Sequence, residues 1–403
     1  MFYSDLSIHS SLHRALGELG YVELTPIQEQ TIPLILADKD VIGIAQTGTG
    51  KTAAFSIPLL QKIYGRVAKP HKPLALIIAP TRELVVQITT AIDQYAKYAR
   101  IRCASVFGGV NQSSQVRHLS RGVEILVATP GRLQDLIQQK KIFLSDVEFF
   151  VLDEADRMLD MGFIPDIKRI AALLRSPQTV LFSATWSSTI DALSASLTKN
   201  VTRIELSQAT VSDNIHQRVL YVRSSQRDEL LFHLFSEQHM EKVLVFTQMK
   251  HRADKVASFL SKKGFPAVSI HGDKSQKQRM RALADFVSGK VSILVATDVA
   301  ARGIDVDNIS HVINYELPTD PESYVHRIGR TARAGASGVA YSFCSETDKA
   351  LLESIQKAIS DTIEHEDHKF HSAEAMHAKI LPKMKKRRFR HTQNRFRPQR
   401  RRK

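Results

Sequence analysis

The stretch "VIGIAQTGTGKTAAFSIPLLQKI" (residues 41–63) decides how the chain is read. It opens with a short apolar run, passes through "QTGTGKT" (46–52) and continues into helix-forming "AAFSIPLLQKI". A strand that runs through a glycine-rich turn and a Lys-Thr pair into a helix is the phosphate-binding loop. Gly48 and Gly50 let successive backbone N–H groups curl around an anion, and the helix N-terminus adds its dipole. On this reading Thr47, Gly48, Thr49 and Gly50 line the loop, Lys51 reaches terminal phosphates and Thr52 is a ligand for Mg²⁺. Ala45 stands where the full pattern has Gly, and taken alone such a match can be an ordinary glycine turn.

A second stretch, "FFVLDEAD" (149–156), sets Asp153, Glu154 and Asp156 behind another apolar run. Carboxylates crowded together repel one another and are costly to bury, so positive charge belongs nearby. Lys51 and a metal dication meet that need. Asp153 is then placed to hold Mg²⁺, and Glu154 to orient or deprotonate an attacking water. An acidic helix start would look the same in isolation; the phosphate loop upstream separates the two readings.

Short runs rich in Val and Ile recur along the chain. They are 41–45, 74–79, 123–128, 149–153 and 179–184 in the first half, and 242–246, 267–272, 291–298, 311–317 and 338–343 in the second. Such runs predict strands buried on both faces of a parallel sheet, and their alternation with helical patterns predicts an open α/β sheet in each half. The polar clusters follow the strands, at the sheet edge where open α/β folds bind ligands. They are therefore expected to converge. The weakly patterned "LSQATVSDNIHQ" (206–217) reads as a linker.

The 403 residues suffice for two or three domains, and 43% hydrophobic against 24% charged content suits packed cores. No apolar run approaches the roughly 20 residues that span a membrane, and "MFYSDLSIHSS" at the start is no secretory signal. Cys103 and Cys344 form no CxxC, which argues against a disulfide scaffold or a cysteine zinc site and fits a reducing, cytoplasmic setting. The net charge of +15 is concentrated at the end. Residues 383–403 hold twelve of the 56 Lys and Arg and none of the 41 Asp and Glu. That tail, with Phe389 and Phe396 among its arginines, is expected to be disordered and to tether phosphate backbones. His365, His368, His371 and His377 are too loosely spaced to suggest a metal site.

Together these motifs resemble the DEAD-box RNA helicases over roughly residues 2–345. "GYVELTPIQ" (20–28) is similar to that family's adenine-reading segment, which implies that Gln28 pairs with the adenine edge and Phe2 stacks on the base. "PTRELVVQ" (80–87), "GG" (108–109) and "TPGR" (129–132) resemble its RNA-lining motifs, implying Pro80, Thr81, Arg82, Gly109, Thr129 and Arg132 as backbone contacts. "SAT" (183–185) resembles the coupling motif, implying that Ser183 and Thr185 hydrogen-bond toward the acids of 153–156, with Asp156 among the coupling residues. In the second half "HGDKSQKQR" (271–279) and "ATDVAARGID" (296–305) imply Gly272, Gln276, Arg279 and Thr297 for RNA and Asp305 for the ATP ribose. "HRIGRTAR" (326–333) resembles the arginine motif, with His326 and Arg327 in coupling and Arg330 and Arg333 as arginine fingers. The family has Gly where this chain has Ala332, a change tolerated only at negative φ. The R-x-x-R-x-x-R spacing predicts arginines presented together on neighbouring helix faces.

The resemblance implies two tandem RecA-like, doubly wound parallel-sheet domains, at 1–205 and 218–360, joined by the linker 206–217. A polar and basic tail, 361–403, is expected to be disordered. It also implies RNA-stimulated ATP hydrolysis with Mg²⁺, coupled to local unwinding of short RNA duplexes or remodelling of RNA–protein complexes. The compact plan resembles bacterial, RhlE-type members acting on ribosomal or messenger RNA, with ribosomal or degradation complexes as partners and no membrane. Two alternatives stay open: an ATP-timed RNA chaperone or clamp with annealing activity, and a DNA-directed helicase.

Overall fold

The computed structural model describes residues 1–45, 48–206, 214–301, 306, 309–332, 337–359 and 361–378. Two seven-stranded sheets organise them. The first comprises β1 (Val41–Ile44), β2 (Ala75–Ile78), β3 (Cys103–Val106), β4 (Ile125–Ala128), β5 (Phe149–Leu152), β6 (Gln178–Ser183) and β7 (Thr202–Glu205), in the order β3-β4-β2-β5-β6-β1-β7. The second comprises β8 (Ile215–Tyr221), β9 (Val243–Thr247), β10 (Ala267–Ile270), β11 (Ile293–Thr297), β12 (His311–Asn314), β13 (Gly338–Cys344) and β14 (Glu364–His365), in the order β10-β11-β9-β12-β13-β8-β14. Every neighbouring pair is parallel. Counted from the first strand of each half, the two orders are identical, so the halves are two copies of one topology.

Parallel strands need crossover helices, which cover both faces of each sheet. In the first sheet successive residues of β5 go to opposite cores: Phe149 and Val151 pack with the helix Lys51–Ile63, Phe150 and Leu152 with Leu133, Met158 and Ile167. Burial on both faces is why these strands read as continuous apolar runs. Gly43 marks one close approach in this packing, since a Cβ there would lie 2.2 Å from the Phe182 ring.

Two expectations change. Of the expected linker, 207–213 lie outside the described residues, while Ile215–Gln217 belong to β8, paired with Gly338–Ala340 of β13. Residues 361–378, expected to be disordered, fold onto the second lobe. Ile363 and Ala375 are buried, Phe370 packs on the core that holds Leu230 and Phe343, and β14 extends the sheet beyond β8 just as β7 extends the first beyond β1. Backbone bonds Glu366 N–H to Val219 O and Ser372 N–H to Tyr221 O fix the segment. Its polar composition masked three apolar anchors. The basic stretch 383–403 lies outside the described residues.

Candidate active site

The phosphate loop leaves β1 and turns through Gly48 (φ 87°) and Gly50 (φ 88°) into the helix Lys51–Ile63. Both angles lie in the left-handed region that glycine adopts freely. Gly50 is also fixed by space, because a Cβ would lie 2.3 Å from Gln28 Nε2. Gln28 is buried on the helix Pro26–Leu36. Its Oε1 accepts from the Tyr3 hydroxyl at 2.6 Å and the Thr25 N–H at 2.9 Å, and its Nε2 donates to Gly50 O at 3.0 Å. The Thr25 hydroxyl donates to Thr49 O at 2.8 Å. The residue expected to read adenine through both amide groups is thus committed largely to bracing the loop, with one amide N–H left over. Phe2 stands exposed beside it, bridged to Glu23. Thr47 lies outside the described residues.

The acids sit two strands away, where β5 ends. Lys51 is buried and donates to Ala45 O at 2.7 Å. Burial holds the Asp153 carboxyl well above the usual carboxylate range, although Lys51 pulls the other way. Asp153 Oδ1 is buried without a hydrogen-bond partner. An unpaired, buried carboxylate oxygen close to Lys51 is the kind of hard-oxygen donor that a divalent cation such as Mg²⁺ takes, so Asp153 fits that role, and Thr52, beside Lys51 at the helix start, carries a hydroxyl of the same kind. Glu154 has φ 57°, in the left-handed region, and its Oε2 forms an ion pair with Arg157, both side chains buried. Asp156 Oδ2 accepts from the Ala184 N–H at 3.0 Å, the Thr185 N–H at 2.9 Å and the Thr185 hydroxyl at 3.3 Å, while Ser183 Oγ accepts from the Asp156 N–H at 3.2 Å. The expected link between these motifs forms, largely through backbone. Burial would raise the Asp156 pKa, but Lys51, His326 and these N–H groups outweigh it and lower it.

His326 comes from the other lobe, so the cleft brings both halves to one carboxylate. The helix Pro321–Ile328 ends at Gly329, and Arg330 follows in the turn, buried, its Nε donating to His326 O at 3.2 Å. Arg327 points into the lobe. It bonds both Asp298 oxygens at 2.6 and 2.8 Å, Asn314 Oδ1 at 3.0 Å and Glu316 O at 2.6 Å, and stacks over Phe246. The shared helical display expected of the arginine series does not form, because the helix stops before Arg330 and Arg327 is an internal strut. Ala332 has φ 55°, the condition under which its methyl is not tolerated freely. Arg333 and Asp305 lie outside the described residues.

Along the first sheet edge, β5, β6 and β1 carry the phosphate and acid residues, while β3, β4 and β2 carry Gly109, Thr129 with Arg132, and Pro80, Thr81 and Arg82. Thr81 caps its helix by accepting from the Leu84 N–H, and Thr129 stands at the cap before Pro130. Arg82 lies over Gly109 (φ 80°), where a Cβ would come within 2.1 Å of its guanidinium. From the second lobe Gly272, Gln276 and Arg279 follow β10, and Thr297 ends β11. Burial lowers the Arg82 pKa, and Arg279 and Arg132 add to this, so three cations converge. Arg132 Nη1 and Arg279 Nε are buried donors without partners. Sequence reasoning did not single out Glu83, a buried acid that accepts from Gln276 Nε2 at 3.1 Å and pairs with Arg279 at 3.0 Å across the lobes. Its only signal was a charge inside "PTREL" with no local partner. Arg157 was missed although its partner Glu154 lies only three residues away.

Family models agree with this division. "DEAD/DEAH box helicase" matches residues 25–193 and "Helicase conserved C-terminal domain" matches 226–335. The DEAD-box ATP-dependent RNA helicase CshA of Bacillus subtilis is 44% identical over 360 residues, 88% of this chain and 72% of the relative. The ATP-dependent RNA helicase dbp2 of Emericella nidulans is 46% identical over 82% of this chain and 60% of its own. Among solved structures, S. cerevisiae Dbp5 bound to RNA and ADP BeF3 is 31% identical, covers 90% of this chain and 94% of its own, and has a TM-score of 0.81. With both halves matched and CshA aligned over most of its own length, the chain belongs to the DEAD-box helicase family.

Proposed function

We propose that the protein is an ATP-dependent RNA helicase that couples RNA-stimulated ATP hydrolysis to local opening of short duplexes or remodelling of RNA–protein complexes. The observation that carries this is the convergence, across one cleft, of Lys51 and the Asp153–Asp156 acids with His326 of the other lobe, beside a cluster of Arg82, Arg132 and Arg279 that also draws on both lobes. Lys51 and the loop amides hold the triphosphate, and Asp153 and Thr52 would hold Mg²⁺. When bound, that ion neutralises charge on the β- and γ-phosphates. Glu154 faces the attacking water, and Arg330, with Arg333, supplies guanidinium charge from the second lobe. Buried arginine donors take phosphate oxygens, which gives weak sequence preference. Because both ligands favour the closed cleft, each promotes binding of the other. The basic tail 383–403 tethers RNA, and cytoplasmic ribosomal or degradation complexes are the proposed setting.

Lys51→Ala is expected to abolish ATP turnover, and Glu154→Gln to trap a closed RNA complex. Wild-type turnover in both overturns the mechanism. Stimulation by RNA but not by single-stranded DNA separates this function from a DNA helicase, and duplex opening with a non-hydrolysable ATP analogue would separate clamp-like from turnover-dependent action. Removing 383–403 should weaken RNA affinity and flatten its salt dependence; identical titrations at two salt concentrations would exclude the tether.

A further inference from the structure

We propose that Arg157 is a positioning residue for Glu154, a deepening of the reading above that rests on it. Glu154 is placed to meet the attacking water, yet its backbone sits in the left-handed region at φ 57°. For a residue other than Gly or Asn that conformation is strained and persists only where the surroundings hold it. The chain supplies the hold one turn later. Arg157 Nη1 pairs with Glu154 Oε2, at i,i+3 on the helix Ala155–Asp160, with both side chains 7% exposed. The Arg157 backbone is fixed in turn, its N–H donating to Asp156 Oδ1 at 2.9 Å, and Asp156 is anchored to Ala184 and Thr185.

Glu154 Oε2 is therefore occupied, while Oε1 makes no hydrogen bond among the described residues. One oxygen is clamped and the other is presented. Phosphoryl transfer passes through a loose transition state that asks for alignment of the nucleophile more than for a strong base. Fixing a single acceptor oxygen supplies that alignment, and misplacement of a reacting group by about 1 Å can cost on the order of 100-fold in rate. Arg157 thus links the coupling motif at 183–185, through Asp156, to the orientation of Glu154.

The test uses the full chain. Arg157→Leu keeps the apolar stem and removes the clamp, and Arg157→Lys restores a cation of different geometry. RNA-stimulated ATP hydrolysis is measured for both, alone by steady-state turnover and in the Glu154→Gln background by the residual single-turnover rate of the trapped complex. Arg157→Leu is expected to lower kcat by about 10- to 100-fold while the KM for ATP and the RNA affinity stay within about twofold. Arg157→Lys should recover part of the loss, and Arg157→Leu should cost nothing further once Glu154 is Gln. A full, undiminished loss in the Glu154→Gln background overturns the positioning role, as does an unchanged kcat or a parallel loss of ATP and RNA binding. A wild-type protein without RNA-stimulated turnover overturns the function itself, and the role of Arg157 with it.

Discussion

Ala332 carries a methyl group at φ 55°, where the left-handed backbone costs an L-residue about 1–2 kcal/mol. Replacing it with Gly removes that strain but loosens the unfolded chain by about 0.4–1 kcal/mol. Ala332→Gly is therefore expected to stabilise the second lobe by up to about 1.6 kcal/mol, seen as a higher denaturant midpoint; a lower midpoint would refute the strain. At this scale much of the site was legible in the sequence. Gly48, Gly50, Lys51 and Asp153 were readable because their chemistry is local: a turn that demands glycine, and a helix start that demands a particular side chain. Glu83 was not, because it serves partners on the other lobe whose position only folding reveals; Arg157 was not, because nothing in the sequence says that the i,i+3 pair with Glu154 is buried. Gln28 was read from the resemblance of its segment and the two-sided capacity of its amide, of which Tyr3 and Gly50 take much.

The helix Lys250–Lys262 is locked to β10 through one carboxylate. Asp254 accepts from the Ser269 hydroxyl at 2.6 Å, lies 2.9 Å from His271 Nε2 and pairs with Lys274 at 3.0 Å. Burial would raise its pKa, but these bonds outweigh burial and hold it at about 2. Unfolded, the carboxyl titrates near the ordinary value of about 3.9. Its stabilisation is therefore complete above about pH 4 and is lost as the pH falls from there toward 2. Asp254→Asn should reduce stability at pH 6 and flatten the acid limb between pH 4 and 2, checked by thermal unfolding across that range. An acid limb identical to wild type would exclude the linkage. This contact also steadies the segment that presents Gly272, Gln276 and Arg279. Among elements, the strands with both faces covered, such as β5, β9 and β12, announced themselves as apolar runs. β3, β7, β8 and β14 did not: β3 alternates half-buried with buried residues, β7 half-buried with exposed ones, β8 breaks its buried positions with His216–Arg218, and β14 is exposed throughout. An edge strand follows its neighbour's register more than its own composition.

For the molecule as a whole, the joint between lobes turns on Glu83. The acid is buried against Arg279 and Gln276, both from the opposite lobe. A hydrogen bond to a charged group is worth about 1.5–3 kcal/mol, so Glu83→Gln should shrink the gain in RNA affinity conferred by a non-hydrolysable ATP analogue by about tenfold or more. Affinity measured without nucleotide should hold or tighten, since an acid has left a cationic face. An unchanged gain would mean the pair does not drive closure. The matched strand orders have a last consequence. β14 is short and borrowed from the far end of the chain, yet it shields the outer rim of β8, whose unmet main-chain groups would otherwise invite pairing with another molecule. A protease nick just before residue 361 would strip that guard, and such trimmed chains should self-associate as their concentration rises while the intact protein stays monodisperse in sedimentation.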